Sequence, residues 1–231
     1  MKGIPPLEII YEDDDMIAIN KPNGLLVHRS KIAADVTHVA LQQLRDQINQ
    51  KVYLVHRLDR KTSGVLLFAK SSEVCAELSQ LFQERKVTKR YIAIVRGYIH
   101  GSDTIDYALS HEDKRQSAVT EYRAIAHYEI GVPSAGFFTS RYTLVALRPH
   151  TGRFHQLRKH MAHIRHPIIG DRPHGCSKQN RLWKETFNQN DMMLHAASLS
   201  FTFRNVTPIH IEASQSDSIL MTLNILKARS I

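Results

Sequence analysis

The stretch from Val52 to Lys70 restricts the fold more than any other part of the chain. Two apolar runs, Val52–Val55 and Val65–Ala69, enclose the polar segment His56–Gly64. Runs that short and that apolar read as buried strands, so the polar segment becomes a loop at one end of a sheet. Within it Asp59 stands among Arg57, Arg60 and Lys61. A carboxylate ion-paired in this way at the mouth of a cleft would have a lowered pKa and stay ionised at neutral pH. It would then serve as a nucleophile or electrostatic stabiliser, not as a general acid. The residues alone equally allow a structural ion pair in a tight turn.

The surrounding sequence supplies more strands than helices. Leu7–Tyr11 and Met16–Asn20 read as strands around the acidic turn Glu12–Asp15, followed by the turn Lys21-Pro22-Asn23-Gly24. A helix is expected over Val36–Ile48, with Asp35 as N-cap and Val36, Val39, Ala40, Leu44 and Ile48 on one face. Ser71 or Ser72 caps a second helix, whose apolar stripe is Val74, Leu78, Leu81 and Phe82. Lys89–Arg96 alternates as a strand, with Tyr91, Ala93 and Val95 on one side and Ile92, Ile94 and Arg96 on the other. Strands are expected near Ala118–Ile130 and Arg141–Leu147, with Gly131–Gly136 as their connection. His155–His166 reads as a helix that Pro167 ends, with Leu157, Met161 and Ile164 toward the core. Two strands through Leu199–Phe203 and Ile209–Ile211 and a closing helix at Ser216–Ala228 complete the pattern. The fold class is α+β with a mostly antiparallel sheet. No composition break interrupts the chain, and residues 1–231 read as one domain.

Charge narrows the function. Lys plus Arg number 31 against 22 Asp plus Glu, a formal net charge of +9. Arg148–His166 concentrates this surplus in Arg148, Arg153, Arg158, Lys159 and Arg165, with no Asp or Glu among them. Unopposed cations on a helix and the loop before it favour a polyanion over a merely solvated basic face. The same segment holds five histidines, of which His160 and His163 could share a helix face. Without HExxH or a carboxylate in the run, a catalytic metal is disfavoured and no metal site is assigned. GxSxG, Walker-type and GxGxxG signatures are absent, which weighs against a serine nucleophile and a nucleotide cofactor. The two cysteines, Cys75 and Cys176, are far apart and fit a reducing cytoplasm. No apolar run approaches the roughly 20 residues needed to cross a bilayer.

Five stretches then carry a resemblance. His56-Arg57-Leu58-Asp59-x-x-Thr62-Ser63-Gly64 with Val65–Lys70 resembles the signature of the RluA-type pseudouridine synthases. Lys21-Pro22-Asn23-Gly24 resembles their N-terminal KPxG turn, and Lys89-x-Tyr91-x-Ala93-x-Val95-x-Gly97 their tyrosine motif. Thr151–Arg158 with His160, followed by His166-Pro167-Ile168-x-Gly170-Asp171, resembles their arginine motif. Met193-Leu194-His195-Ala196 resembles the late LHA motif. These occur in the family's order and span most of the chain. Leu25–Ser30, Ala162–Pro167, His174-Gly175 and Asn180-Arg181 fit the branch that acts on tRNA. Arg165 stands where many relatives have Gly, and Arg204-Asn205-Val206 departs from their usual His-Pro.

The resemblance implies an RNA pseudouridine synthase with a curved, mixed, mostly antiparallel central sheet, flanking helices and a basic cleft. It implies isomerisation of uridine at position 65, in the T stem of tRNA, with no cofactor. Ribosomal RNA as substrate, or RNA binding without catalysis, are the alternatives. Asp59 matches the essential aspartate that attacks ribose C1′ or promotes elimination. Arg158 matches the arginine that pairs with it, and Tyr91 the tyrosine that stacks on uracil and takes part in removing the C5 proton. Arg57 matches a side chain that fills the gap left by the flipped base. Arg60, Arg153, Lys159 and Arg165 are expected to contact RNA, and Leu194 to line the pocket. A cytoplasmic monomer without a separate N-terminal RNA-binding module is expected.

Overall fold

The computed structural model describes residues 5–28, 38–112, 114–134, 136–204 and 208–231. In chain order its elements are β1 (Glu8–Glu12), β2 (Met16–Lys21), α1 (Ala40–Ile48), β3 (Tyr53–Leu54), β4 (Ser63–Ala69), α2 (Ser72–Gln83), β5 (Thr88–Arg96) and β6 (Ser102–Asp106). Then come β7 (Leu109–His111), β8 (Lys114–Gln116), β9 (Val119–Ile130), β10 (Ser140–Pro149), α3 (Gln156–His163), α4 (Ser177–Phe187), β11 (Leu194–Thr202), β12 (Pro208–Glu212) and α5 (Asp217–Ala228). The class is α+β. Two compact units divide the chain, residues 1–88 with 196–214 and residues 89–195 with 215–231.

In the first unit β1 pairs antiparallel with β2, β2 with β4, β3 with β4, and β11 with β12. β4 is buried along its whole length, which is what its unbroken apolar run requires. By alternation Val65, Leu67 and Ala69 face one way, onto Val74 and Leu78 of α2 and Leu199 and Phe201 of β11. Gly64 opens the strand at φ +104°, and a Cβ there would sit 2.1 Å from the carbonyl oxygen of Ala196. Only glycine lets β4 start that close to β11. The cap of α2 is Ser71, whose Oγ accepts from the Val74 amide at 3.2 Å.

The expected first helix begins later than its apolar pattern suggests. Asp35 and Val36 lie outside the described residues, and the helix starts at Ala40 after an extended Val39. Backbone does the capping: the Ala40 and Leu41 amides donate to the carbonyls of Leu26 and Val27 at 2.8 and 3.1 Å.

In the second unit β5 pairs with β10, β10 with β9 and β9 with β6, all antiparallel. Ala93, Val95, Val145 and Leu147 pack with Leu157 and Met161 of α3, Trp183 of α4 and Ile219, Leu223 and Leu226 of α5. The helix expected to run to His166 stops at His163. Arg165 turns into the left-handed region at φ 65°, and the His166 amide closes onto the Met161 carbonyl at 2.9 Å. This is a helix terminus that glycine fits best, so an arginine there carries a backbone cost. α4, β6, β7 and β8 carry no clear sequence signal.

Candidate active site

In the first unit the loop carrying Asp59 is fixed by main chain. Asp59 is half-buried, and its carbonyl accepts from the Thr62 amide at 3.0 Å, closing a turn. Behind it Leu58 is buried. The ring of His56 stacks on Phe82 with centroids 4.8 Å apart, and its Nε2 accepts from the Leu67 amide at 3.1 Å. Lys21 is fully buried beneath the loop. Its Nζ donates to the carbonyls of Pro22, Leu25 and Arg60 at 2.8, 2.9 and 3.0 Å. Three donors on three carbonyls tie the Lys21–Leu25 turn to the Asp59 loop. Burial pulls the Lys21 ammonium down to about 7, an effect that the Asp59 carboxylate opposes and the Arg60 guanidinium reinforces. The Arg60 Nε completes the tie, donating to the Gly24 carbonyl at 2.9 Å.

In the second unit the arginine motif is fixed by side chains. Gln156, at the start of α3, uses its whole carboxamide. Its oxygen accepts from Thr151 Oγ1 at 2.6 Å and the Arg153 amide at 3.0 Å, and its nitrogen donates to the Val119 carbonyl and Thr120 Oγ1, both at 3.0 Å. Two residues on, Arg158 is only 7% exposed. Its Nε and Nη2 form a fork on the two carboxylate oxygens of Asp171, each at 2.8 Å. The turn bearing Asp171 is held by Asn180 of α4, which accepts from the Gly170 amide at 2.8 Å and donates to the Asp171 carbonyl at 2.7 Å. Gly170 has φ +80°, and a Cβ there would meet the Asp191 carbonyl oxygen at 1.8 Å. Asp171 and Asn180 stand inside recognised motifs, yet nothing in their spacing shows that one orients Arg158 and the other orients the turn.

The remaining expected site residues fall into distinct settings. Tyr91 is half-buried in β5, opposite Leu147. Arg57 is exposed on the Asp59 loop, and Arg165 is exposed beyond α3. Arg153 and Lys159 donate to the carbonyls of Ser117 and Ser110 at 3.0 and 2.9 Å, so each cation is docked while its charge stays uncompensated by that contact. Leu194 is buried among the core residues of its unit. Arg148 corrects the picture of an unopposed strip: Glu121 of β9 lies directly opposite it and pairs at 3.5 Å, and also takes His150 at 2.7 Å. The acid comes from a neighbouring strand, where local sequence cannot reveal it.

His160 and His163 do not act as a pair. His160 is fully buried, with Nε2 donating to the Tyr107 carbonyl and Nδ1 accepting from Thr120 Oγ1, both at 3.0 Å. Burial lowers its pKa. His163 stacks on the Tyr107 ring with centroids 3.7 Å apart.

The family model described as RNA pseudouridylate synthase matches residues 15–163. The tRNA pseudouridine synthase C of Vibrio parahaemolyticus is 47% identical over 207 residues, covering 84% of each chain. Those of Yersinia pestis and Salmonella typhimurium are 50% and 46% identical, over 84% and 94% of this chain and 80% and 88% of theirs. Among solved structures, human RNA Pseudouridylate Synthase Domain Containing 1 superposes with a TM-score of 0.74 at 24% identity, over 93% of this chain and 86% of that one. Human RNA Pseudouridylate Synthase Domain Containing 4 gives 0.70 at 24% identity, over 95% and 93%. These two share the fold.

Proposed function

This chain belongs to the RNA pseudouridylate synthase family, and from that membership and the residues of its site we infer that it isomerises uridine in tRNA to pseudouridine. The N1–C1′ bond breaks and a C5–C1′ bond forms, while C5 loses a proton and N1 ends protonated. Nothing is oxidised or reduced, so the reaction calls for no redox cofactor, and we assign none. Asp59 attacks C1′ or promotes elimination, Tyr91 stacks on the uracil, and Arg158 steadies the aspartate's charge. Arg57 fills the space the base vacates, and Leu194 lines the pocket. What supports these roles is the way each carrier is built: Asp59 rides a loop pinned by a buried cation, and Arg158 is held in one orientation by Asp171.

The substrate position we propose is uridine 65, in the T stem. A paired uridine must leave its stack before C1′ and C5 can be reached, at a cost of a few kcal/mol. Phosphate contacts from Arg60, Arg153, Lys159 and Arg165 offset that cost. A duplex target favours recognition through backbone and shape over base edges. We read the enzyme as a cytoplasmic monomer. The observation that carries the choice of tRNA is the agreement with relatives named tRNA pseudouridine synthase C over 84% of the chain.

The test is tritium release from tRNA carrying 5-tritiated uridine, without added metal or nucleotide. Release at one site, mapped by pseudouridine sequencing in a deletion strain, is expected in the T stem. A site missing instead from ribosomal RNA would move the substrate, and no release from any cellular RNA would end the enzyme reading.

A further inference from the structure

The β9–β10 hairpin carries two aromatic rings that the core does not use. Phe137 is 66% exposed and Phe138 is 90% exposed. The hairpin is nonetheless ordered by main chain, with Ser134 and Phe137 exchanging amide–carbonyl hydrogen bonds at 3.0 Å, and Ser140 Oγ donating to the Val132 carbonyl at 2.8 Å. Beside the rings lies an open cleft of about 520 Å³, lined also by Arg96, Tyr98, Arg141 and Gln179. Arg141 stacks its guanidinium on Tyr98, 5.3 Å from the ring centroid, and pairs with Glu129 at 3.0 Å. Arg96 is different: its Nη1 donates to the Cys176 thiol at 3.6 Å, and no ion pair neutralises it among the described residues.

Two exposed rings, a guanidinium stacked on a third ring and one uncompensated guanidinium are what a single-stranded nucleic acid needs. Unpaired bases stack on aromatic faces with little regard to sequence, and cations meet the phosphates between them. A second copy of the chain fits less well. The two rings expose roughly 300 Å² together, on the ~150–250 Å² that an aromatic side chain can bury. A stable interface needs about 800 Å² per partner. Self-association would also set this chain's +9 charge, and Arg96 with it, against its own image.

We propose that this cleft is a second RNA-binding subsite that takes unpaired nucleotides of the substrate, with Phe137 and Phe138 as stacking platforms and Arg96 as the phosphate contact. It rests on the reading of the chain as an RNA-modifying enzyme. It is separate from the reacting nucleotide: Arg96 lies five residues along β5 from Tyr91, about 17 Å at the rise of a strand.

Fluorescence anisotropy with labelled hexauridylate and with a blunt mixed-sequence RNA duplex tests it on the full chain. The double variant F137A/F138A should bind hexauridylate about tenfold or more weakly and the duplex as wild type does. Arg96→Gln should lower the slope of log affinity against log salt for hexauridylate by about 0.7. Both phenylalanines point to solvent, so the thermal midpoint and tritium release at saturating tRNA should be unchanged in the double variant. Equal losses on both probes, or no loss on hexauridylate, would overturn the proposal. So would a fall in sedimentation mass on removing the rings, which would assign them to self-association. Failure of the wild type to release tritium would overturn the enzyme reading instead, and would show separately from the binding results.

Discussion

The Asp59 loop and the Arg158 turn solve one problem, holding a charged side chain still, by opposite means. The Asp59 loop is anchored by backbone: a buried ammonium gathers three carbonyls, and the carboxylate itself is left half-buried. The Arg158 turn is anchored by side chains: a buried guanidinium is forked onto a buried carboxylate. A group that must meet a substrate keeps access, and its rigidity comes from main chain around it. A group that must keep one orientation can be buried and neutralised. In the proposed reaction buried Arg158 acts as a positioning cation, and exposed Arg165 is the one offered to a phosphate.

The sharpest way to break this contrast is at Gly64. Gly64→Ala forces a Cβ into the Ala196 carbonyl at a left-handed φ, and should cost more than about 4 kcal/mol. Urea unfolding should show little or no native protein. Asp171→Ala comes next, because it strands a buried guanidinium, at about 3–5 kcal/mol. Asp171→Asn should keep the turn folded but lower kcat by about 10²-fold through a misaligned Arg158. A kcat within a few-fold of wild type would show that the fork does not matter to the chemistry.

Lys21→Met is expected to cost less, about 1–3 kcal/mol, because the freed carbonyls can find water as the turn loosens. It also carries a pH signature. The Lys21 amine falls from 10.5 to about 7 on folding, so between those values the unfolded chain binds more protons. Unfolding free energy from this group should rise with pH across that window and stay level below it, where both states hold the proton. Subtracting the Lys21→Met pH profile from wild type isolates this rise, and a flat difference would contradict the buried-ammonium account. The smallest effect belongs to His160. Burial lowers its pKa from 6.5, so its contribution is present above 6.5 and is lost as the pH falls below that. His160→Gln should flatten the acid limb of the stability curve.

What was legible in sequence followed from local pattern. β4, α2, α5 and the Asp59 loop are written in apolar runs, a serine cap and periodicity, and they appear where expected. The helix at Ala40 was not, because its N-terminal amides are capped by the carbonyls of Leu26 and Val27 rather than by a side chain. α4 leaves no mark in the sequence because only Gln179 and Trp183 of its turns are buried, too few to make a stripe. The partnerships were hidden for a different reason. Glu121 with Arg148, Asp171 with Arg158 and Lys21 with the Arg60 carbonyl all join residues distant in the chain or use backbone acceptors that every residue shares. The motif residues could be named from sequence; the groups that hold them could not.

In the proposed reaction the Asp59 carboxylate does the chemistry on the ribose. Single-turnover tritium release from tRNA with Asp59→Asn tests it most directly. The expected rate is at least ~10³-fold below wild type, with the Kd for tRNA changed by no more than a few-fold. A rate within tenfold of wild type, with normal binding, would contradict it.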